Sequence, residues 1–181
     1  MLVIGGKYRS RLLTWPDDAK HIRPTKDRIR EAIFNAIGDI SNTVTLDLYA
    51  GSGAMGIEAL SRYAKKSYFV DINKVSLDTI KGNLKSLNIP NTDYEVLPIN
   101  DLMALSSLHN RDIKFDIVFL DPPYEQGDYA RVIKILLEDN MLNENAIIIC
   151  ECNRLLDLPF DVFKKRKDYK YGEITVSILW K

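Results

Sequence analysis

The chain has 181 residues, 46% of them apolar and 28% charged, with 25 basic and 25 acidic side chains that cancel to a net charge of zero. That length fits one soluble domain with a sizeable core. No run approaches the roughly 20 apolar residues of a membrane span, and the N-terminus lacks a signal peptide's apolar core. Cys150 and Cys152 stand two apart in a strand-like run. They would share a strand face, which favours neither a disulfide nor a metal pair, so we expect reduced core cysteines in a cytoplasmic protein.

The neutral total hides an asymmetry. Residues 1–30 hold eight Lys/Arg against three acids, a charge of +5, and the remainder is therefore −5. Segments 1–4 and 7–14 flank Gly5-Gly6, a pair suited to the turn of a two-residue β-hairpin. In the second arm Lys7, Arg9 and Arg11 recur at period two and would share one strand face. Such a face can guard an edge strand, and it can equally meet an anionic partner. Thr25 after Pro24 is a candidate helix cap, with Asp27 in the first turn. Ile29, Ala32, Ile33, Ala36 and Ile37 then line one helical face, and Gly38 closes it.

From Thr43 the pattern changes to repeated strand–loop–helix units. Strands are expected over 44–50, 67–72, 94–99, 115–120 and 146–152, with helices over 54–63, 77–87, 102–108 and 129–137. Two further strands, 163–169 and 173–180, would flank Tyr171-Gly172. Alternating units of this kind predict an α/β, doubly wound, mostly parallel sheet with an antiparallel last strand.

In such a sheet a ligand sits over the C-terminal strand ends. The first strand leads from Asp47 into Ala50-Gly51-Ser52-Gly53, where glycines permit a tight turn and close ligand approach. The second ends in Asp71-Ile72, whose carboxylate can accept both hydroxyls of a ribose. The third ends in Asn100-Asp101, able to read a purine edge. The fourth ends in Asp121-Pro122-Pro123-Tyr124. Two prolines stop that strand, leaving a carboxylate, free carbonyls and an aromatic face. Those groups suit a flat molecule bearing an exocyclic NH₂, with its two N–H donors.

Gly51, Gly53 and Gly56 also match the dinucleotide fingerprint, with Asp71 at the spacing of a ribose-binding acid. Two features favour S-adenosylmethionine instead. Asp47 would repel a pyrophosphate but attract an ammonium group, and the Asp-Pro-Pro-Tyr loop has no task in hydride transfer. A nucleotide-binding oxidoreductase stays open as the alternative.

Together these residues resemble class I S-adenosylmethionine-dependent methyltransferases. More narrowly, the chain resembles the RsmD family, which methylates the N2 amino group of a guanine in small-subunit (16S) ribosomal RNA. The carriers are Ile4-Gly5-Gly6, Arg23-Pro24-Thr25, Asp27-Arg28, Arg30-Glu31, Phe34-Asn35, Asp47, Ala50 to Gly53, Glu58 to Tyr63, and Asp121 to Tyr124. The resemblance implies a seven-stranded catalytic domain over 41–181 and an N-terminal hairpin-and-helix extension over 1–40 that binds RNA and caps the cofactor. It implies catalytic roles for Asp121, Pro122, Pro123 and Tyr124. Cofactor contacts would come from Asp47, Ala50, Gly51, Ser52, Gly53, Asp71, Ile72, Asn100 and Asp101. RNA contacts would come from Lys7, Arg9, Arg11, Arg23, Thr25, Lys26 and Arg28. The implied partner is ribosomal RNA in an assembling small subunit, met by a monomer without metal. Asp71 departs from the Glu often found in the family. Among rivals, an adenine-N6 DNA enzyme usually needs a recognition domain for which no residues remain, and a glutamine-N5 enzyme would favour Asn at position 121. A cytosine-C5 enzyme would need a nucleophilic Cys, for which Cys150 and Cys152 are the only candidates.

Overall fold

Seven strands form a single sheet in the order β3-β2-β1-β4-β5-β7-β6. The structure is a computed structural model and describes residues 1–16, 27–123, 128–158 and 160–181. Of the expected site residues, Arg23, Thr25, Lys26 and Tyr124 lie outside the described residues, as does the proposed cap at Thr25. The strands are β1 (Val44–Leu48), β2 (Lys66–Val70), β3 (Tyr94–Leu97), β4 (Phe115–Leu120), β5 (Leu142–Cys152), β6 (Lys165–Tyr171) and β7 (Ile174–Trp180). The helices are α1 (Asp27–Ile37), α2 (Ala54–Ser61), α3 (Lys74–Ser86), α4 (Asp101–His109) and α5 (Tyr129–Glu138). Pairing is parallel from β3 through β5, and β7 runs antiparallel to both neighbours.

Central strands covered on both faces must be apolar almost throughout, and the sequence of β4 meets that demand. Val118 and Leu120 face Leu105, Leu108, Ile133 and Leu136 of α4 and α5. Ile117 and Phe119 face Ile29, Ile33 and Phe34 of α1. The one polar residue, Asp116, caps a neighbouring strand: its Oδ2 accepts the Val44 N–H (2.7 Å) and its Oδ1 accepts from the Asn143 amide (2.7 Å). Strand order reverses at β1, whose neighbours are β2 and β4. A crevice forms at such a reversal because successive crossovers leave on opposite faces.

The N-terminal arms differ from expectation. They meet through one antiparallel bridge, Leu2 to Leu12, flanked by Val3 N–H to Arg11 O (3.0 Å) and Leu13 N–H to Met1 O (2.9 Å). The connection is a 3-10 turn over Gly6–Tyr8, not a two-residue turn at Gly5-Gly6. Lys7 therefore sits in the turn, and Lys7, Arg9 and Arg11 do not form one strand face, though all three are exposed. The reason is tertiary. Gly6 has φ +74°, and a Cβ there would lie 1.7 Å from the Ser61 carbonyl oxygen, so glycine lets the arm lie against the end of α2.

Glu58 of α2 fastens this arm. Fully buried, it accepts the Ile4 N–H (2.7 Å) and Gly5 N–H (2.8 Å), pairs with Arg62 Nε (2.8 Å) and lies 3.6 Å from Arg30 Nε. Ser61 accepts the Tyr8 N–H (2.9 Å). Removing one partner of a buried ion pair typically costs about 3–5 kcal/mol, because the other charge is left uncompensated. Glu58→Ala should lower the unfolding free energy by that order in urea titrations, whereas Lys74→Ala, in an exposed pair with Asp78, should change it by less than about 1 kcal/mol.

Candidate functional site

The parallel register decides which side chains converge. Asp47 pairs across the ladder with Phe119, and Leu120 with Cys150. Side chains alternate along a strand, so Asp47, Asp121 and Glu151 emerge on the same sheet face at the ends of three adjacent strands. Burial raises the Asp121 carboxyl well above the usual carboxylate range, and the charges of Glu151 and Asp47 push it further. Asp121 keeps partial exposure, Pro122 is buried and Pro123 is exposed.

Asp47 is 4% exposed. Its Oδ2 accepts the Gly56 N–H (2.9 Å) at the start of α2, yet burial and the charge of Asp71 still lift its pKa to about 7. Gly56 itself is needed for close packing, since a Cβ there would stand 2.3 Å from the Phe69 ring. Between Asp47 and α2 the backbone enters the left-handed region at Tyr49 (φ +72°), Gly51 (+56°) and Gly53 (+76°). Ala50 and Ser52 lie buried within that turn.

Asp71 is tied to the same turn. Its Oδ2 accepts the Gly51 N–H (2.8 Å) and its Oδ1 the Asn73 N–H (2.8 Å). Each carboxylate oxygen has a second lone pair, so hydroxyl donors can still be accepted. Burial raises this carboxyl above its ordinary value despite those bonds.

The third strand end differs in detail from expectation. Asn100 uses its carboxamide oxygen to cap α4 through the Met103 N–H (2.9 Å), leaving its NH₂ as a donor. Asp101 accepts the Tyr49 hydroxyl (2.7 Å), which bridges β1 to α4. Burial raises the Tyr49 phenol, and the bond to Asp101 adds to the shift. Neither Tyr49 nor Met103 was singled out from sequence. The aromatic residue at positive φ carried no warning in the pattern. Met103 could have been found as the apolar residue of an N-terminal helix turn beside Asn100. Ile72 (72% exposed) and Met103 (58%) are large apolar side chains left open just after β2 and β3.

The structure thus gathers Asp47, the glycine turn, Asp71-Ile72, Asn100-Asp101 and Asp121-Pro122 along one sheet edge. Lys7, Arg9, Arg11 and Arg28 are exposed, and the arm that carries the first three is tied to the far ends of α2 and α3 through Ser61 and Ser86. The donor set fits an adenosyl sulfonium compound: buried acids for its positive charges, a carboxylate for ribose hydroxyls, and apolar surfaces at Ile72 and Met103 for a ring. It does not fit a pyrophosphate, which Asp47 and Asp121 would repel.

Comparisons with known proteins agree. A family model described as "Conserved hypothetical protein 95", the RsmD family, matches residues 1–180. The chain belongs to the RsmD family. It is 37% identical to the Ribosomal RNA small subunit methyltransferase D of Escherichia coli K12, over 82% of this chain and 73% of that one. It is also 37% identical to the Putative rRNA methyltransferase YlbH of Bacillus subtilis 168, over 98% and 97% of the two chains. A solved structure titled Putative methyltransferase yhhF, from Escherichia coli, superposes with a TM-score of 0.84 at 30% identity, covering 100% of this chain and 97% of that one.

The raised Asp47 pKa has a consequence for stability. The folded chain holds this proton up to about pH 7, whereas an unfolded Asp releases it near 3.9. The folded state therefore binds more protons between those values, and stability falls as pH rises through that window. The penalty is absent below about pH 4 and complete above about pH 7, at roughly 4 kcal/mol at most. Asp47→Asn keeps an acceptor for Gly56 and should flatten that slope in urea unfolding, gaining over the parent at pH 8 and little at pH 4.

Proposed function

We propose that this chain methylates the exocyclic N2 of a guanine in small-subunit ribosomal RNA, using S-adenosylmethionine. The single observation that carries this reading is Asp121-Pro122 standing beside two further acids at the strand-order reversal, over the same edge as the glycine turn. Family membership favours it over a nucleotide-binding oxidoreductase and over adenine-N6 methylation. The proposal includes an assembling ribosomal particle as substrate, met in the cytoplasm by a monomer without metal. Residues 1–40 serve in it as an RNA-gripping, cofactor-capping extension of a catalytic unit over 41–181. The Glu58 bonds support that division of labour, because they fasten the arm to the helix that follows the glycine turn.

When bound, S-adenosylmethionine supplies a methyl group on a cationic sulfur, whose bond to sulfur breaks as the bond to N2 forms. Asp47 offers its carboxylate to the ammonium group, and the turn at Gly51–Gly53, whose glycine N–H groups are already bound by Asp71 and the Ala50 carbonyl, lets the ligand approach its backbone closely. Asp71 accepts from the ribose, Asn100 donates to the purine, and Ile72 and Met103 cover its faces. An aromatic amine is a poor nucleophile because its lone pair is delocalised into the ring. Asp121 and the Pro122 carbonyl each accept one N–H of that amine, which favours a pyramidal nitrogen and aims the lone pair. Orientation and preorganised acceptors can supply several kcal/mol. The target base must leave its stack, and in this proposal Tyr124 recovers part of that cost by stacking. As N2 gains positive charge its proton passes to Asp121. Lys7, Arg9, Arg11, Arg23, Thr25, Lys26 and Arg28 contact RNA phosphates.

Asp121→Ala should retain S-adenosylmethionine binding in calorimetry and lose methyl transfer to ribosomal RNA by at least about 10³-fold, since it removes both an oriented acceptor and the proton's destination. The parent rate should climb with pH through an ionisation above the ordinary aspartate range, because only the carboxylate form accepts. Full turnover by Asp121→Ala would overturn the mechanism.

A further inference from the structure

The basic arm at the N-terminus leaves a second basic feature unassigned. Residues 164–170 read Lys-Lys-Arg-Lys-Asp-Tyr-Lys, five bases against one acid, inside the portion of the chain whose charge is negative overall. All but Lys164 lie on β6, the edge strand at the far end of the sheet from β3. Lysines on an edge strand hinder edge-to-edge pairing, and Lys165 and Lys167 fill that role, with Lys165 Nζ also 4.6 Å from the Trp180 ring centroid. Lys170 exceeds it. At the C-terminal end of β6, it lines a cleft of about 740 Å³ whose other wall is the loop after β5, with Asn153, Arg154 and Leu155.

Two bases, Arg154 and Lys170, and two acids, Asp168 and Glu173, line this cleft, and Arg166 beside Asp168 adds a third base. Asp168 is engaged by Arg166 Nε (3.0 Å) and accepts the Ser177 hydroxyl (2.5 Å). Glu173 has an interaction of its own. Arg154 and Lys170, both exposed, have no ion pair among the described residues. Beside them Leu155 is 66% exposed, an apolar surface next to these two cations. Cations, an amide and an apolar patch in one groove match the phosphate, sugar and base of a nucleotide.

The groove's position ties it to the candidate active site. Lys170 pairs with Thr175 and Thr175 with Cys152, the residue after Glu151. Because β6 runs in the direction of β4 and β5, its C-terminal end reaches the same sheet edge as Asp121, although pairing with Thr175 and Cys152 turns Lys170 to the sheet face opposite Glu151 and Asp121. Three strand spacings separate them, about 14 Å. An RNA strand whose base enters at Asp121 reaches this cleft by passing over the ends of β5 and β7 to the other face of the sheet.

We propose that this cleft is a second RNA contact, holding the single-stranded backbone that flanks the methylated guanine, with Arg154 and Lys170 on phosphate and Leu155 against sugar or base. The inference rests on the RNA reading given above. The test is the double charge reversal Arg154→Glu/Lys170→Glu in full-length protein, assayed for methyl transfer to naked 16S ribosomal RNA and to assembling small subunits. Expected are a rise of at least about 10-fold in the KM for either RNA substrate, an unchanged kcat, and an unchanged Kd for S-adenosylmethionine. The salt dependence of log kcat/KM should flatten by about two contacts, 0.7–0.9 per phosphate released. Arg154→Lys/Lys170→Arg should behave as the parent. If the double reversal fails to fold, Arg154→Glu and Lys170→Glu singly carry the same expectation at about 3-fold each. An unchanged KM and salt slope beside an active parent would overturn the cleft's role and leave the enzyme's reading intact. A defect on assembled particles alone would mean a protein contact and would also overturn it. A parent inactive on every ribosomal RNA would instead overturn the underlying reading.

Discussion

Parallel strand register is the constraint on which the rest depends. It places Asp47, Asp121 and Glu151 on one face at the ends of β1, β4 and β5. Side chains of the same strands lock that register, since slipping β4 by one residue would exchange its α1-facing and its α4- and α5-facing side chains and break the Asp116 bonds to Val44 and Asn143. Burial raises the Asp47 and Asp121 carboxyls, and neighbouring acids add to it, Asp71 at Asp47 and Glu151 with Asp47 at Asp121. The resulting negative potential, under low dielectric, favours a cation or a cluster of N–H donors, and it disfavours phosphate. The reaction proposed above brings both favoured kinds together, a sulfonium and an amine.

The glycine turn is held as firmly as the acids. Three residues in five adopt positive φ, and Asp71 accepts the Gly51 N–H from the neighbouring strand end. The Tyr49 and Ala50 N–H groups both point to the Val70 carbonyl. A non-glycine residue at φ +72° is costly by about 1 kcal/mol or more and persists only where its surroundings over-determine it. The Tyr49 hydroxyl on Asp101 supplies such a tie. Asp71 therefore has two tasks in this reading, shaping the turn and meeting the ribose. A carboxylate fixed by two backbone donors has little conformational freedom left to lose when a ligand arrives.

Much of the fold was legible because the strands are short apolar runs and the helices have one apolar face. The misreadings have local causes. β5 begins at Leu142, earlier than expected, because Asn143, Glu144 and Asn145 are polar and read as loop, yet the ladder resumes after a register shift at Phe115/Ile117. Gly5-Gly6 has the pattern of a hairpin turn, whereas Gly6 answers to the approach of α2, 55 residues away in sequence and invisible to local pattern. At the site, strand-end acids were readable from spacing alone. The partners they adopt were not: whether Asn100 caps a helix or Asp101 meets Tyr49 depends on how α4 sits over β1. The cleft at Arg154 and Lys170 joins segments separated by the β5–β6 connection, so neither segment announces it alone.

Charge placement explains how a chain of zero net charge can serve a polyanion. At physiological salt a phosphate senses charges within about 8 Å, so local patches matter and the total does not. Acids gather at the strand ends, where they act on protons and cations. Bases gather outside that cleft at two separated places. The N-terminal arm lies over α2 and α3, through Glu58 and through Arg11 to the Ser86 carbonyl. The β6 edge lies at the opposite end of the sheet. Both patches stand apart from the strand-end acids. An RNA strand held at both would keep its phosphates on basic ground and bring only a base to the acids. A single central basic patch could not achieve that, because it would bring phosphate to Asp121 in place of the amine.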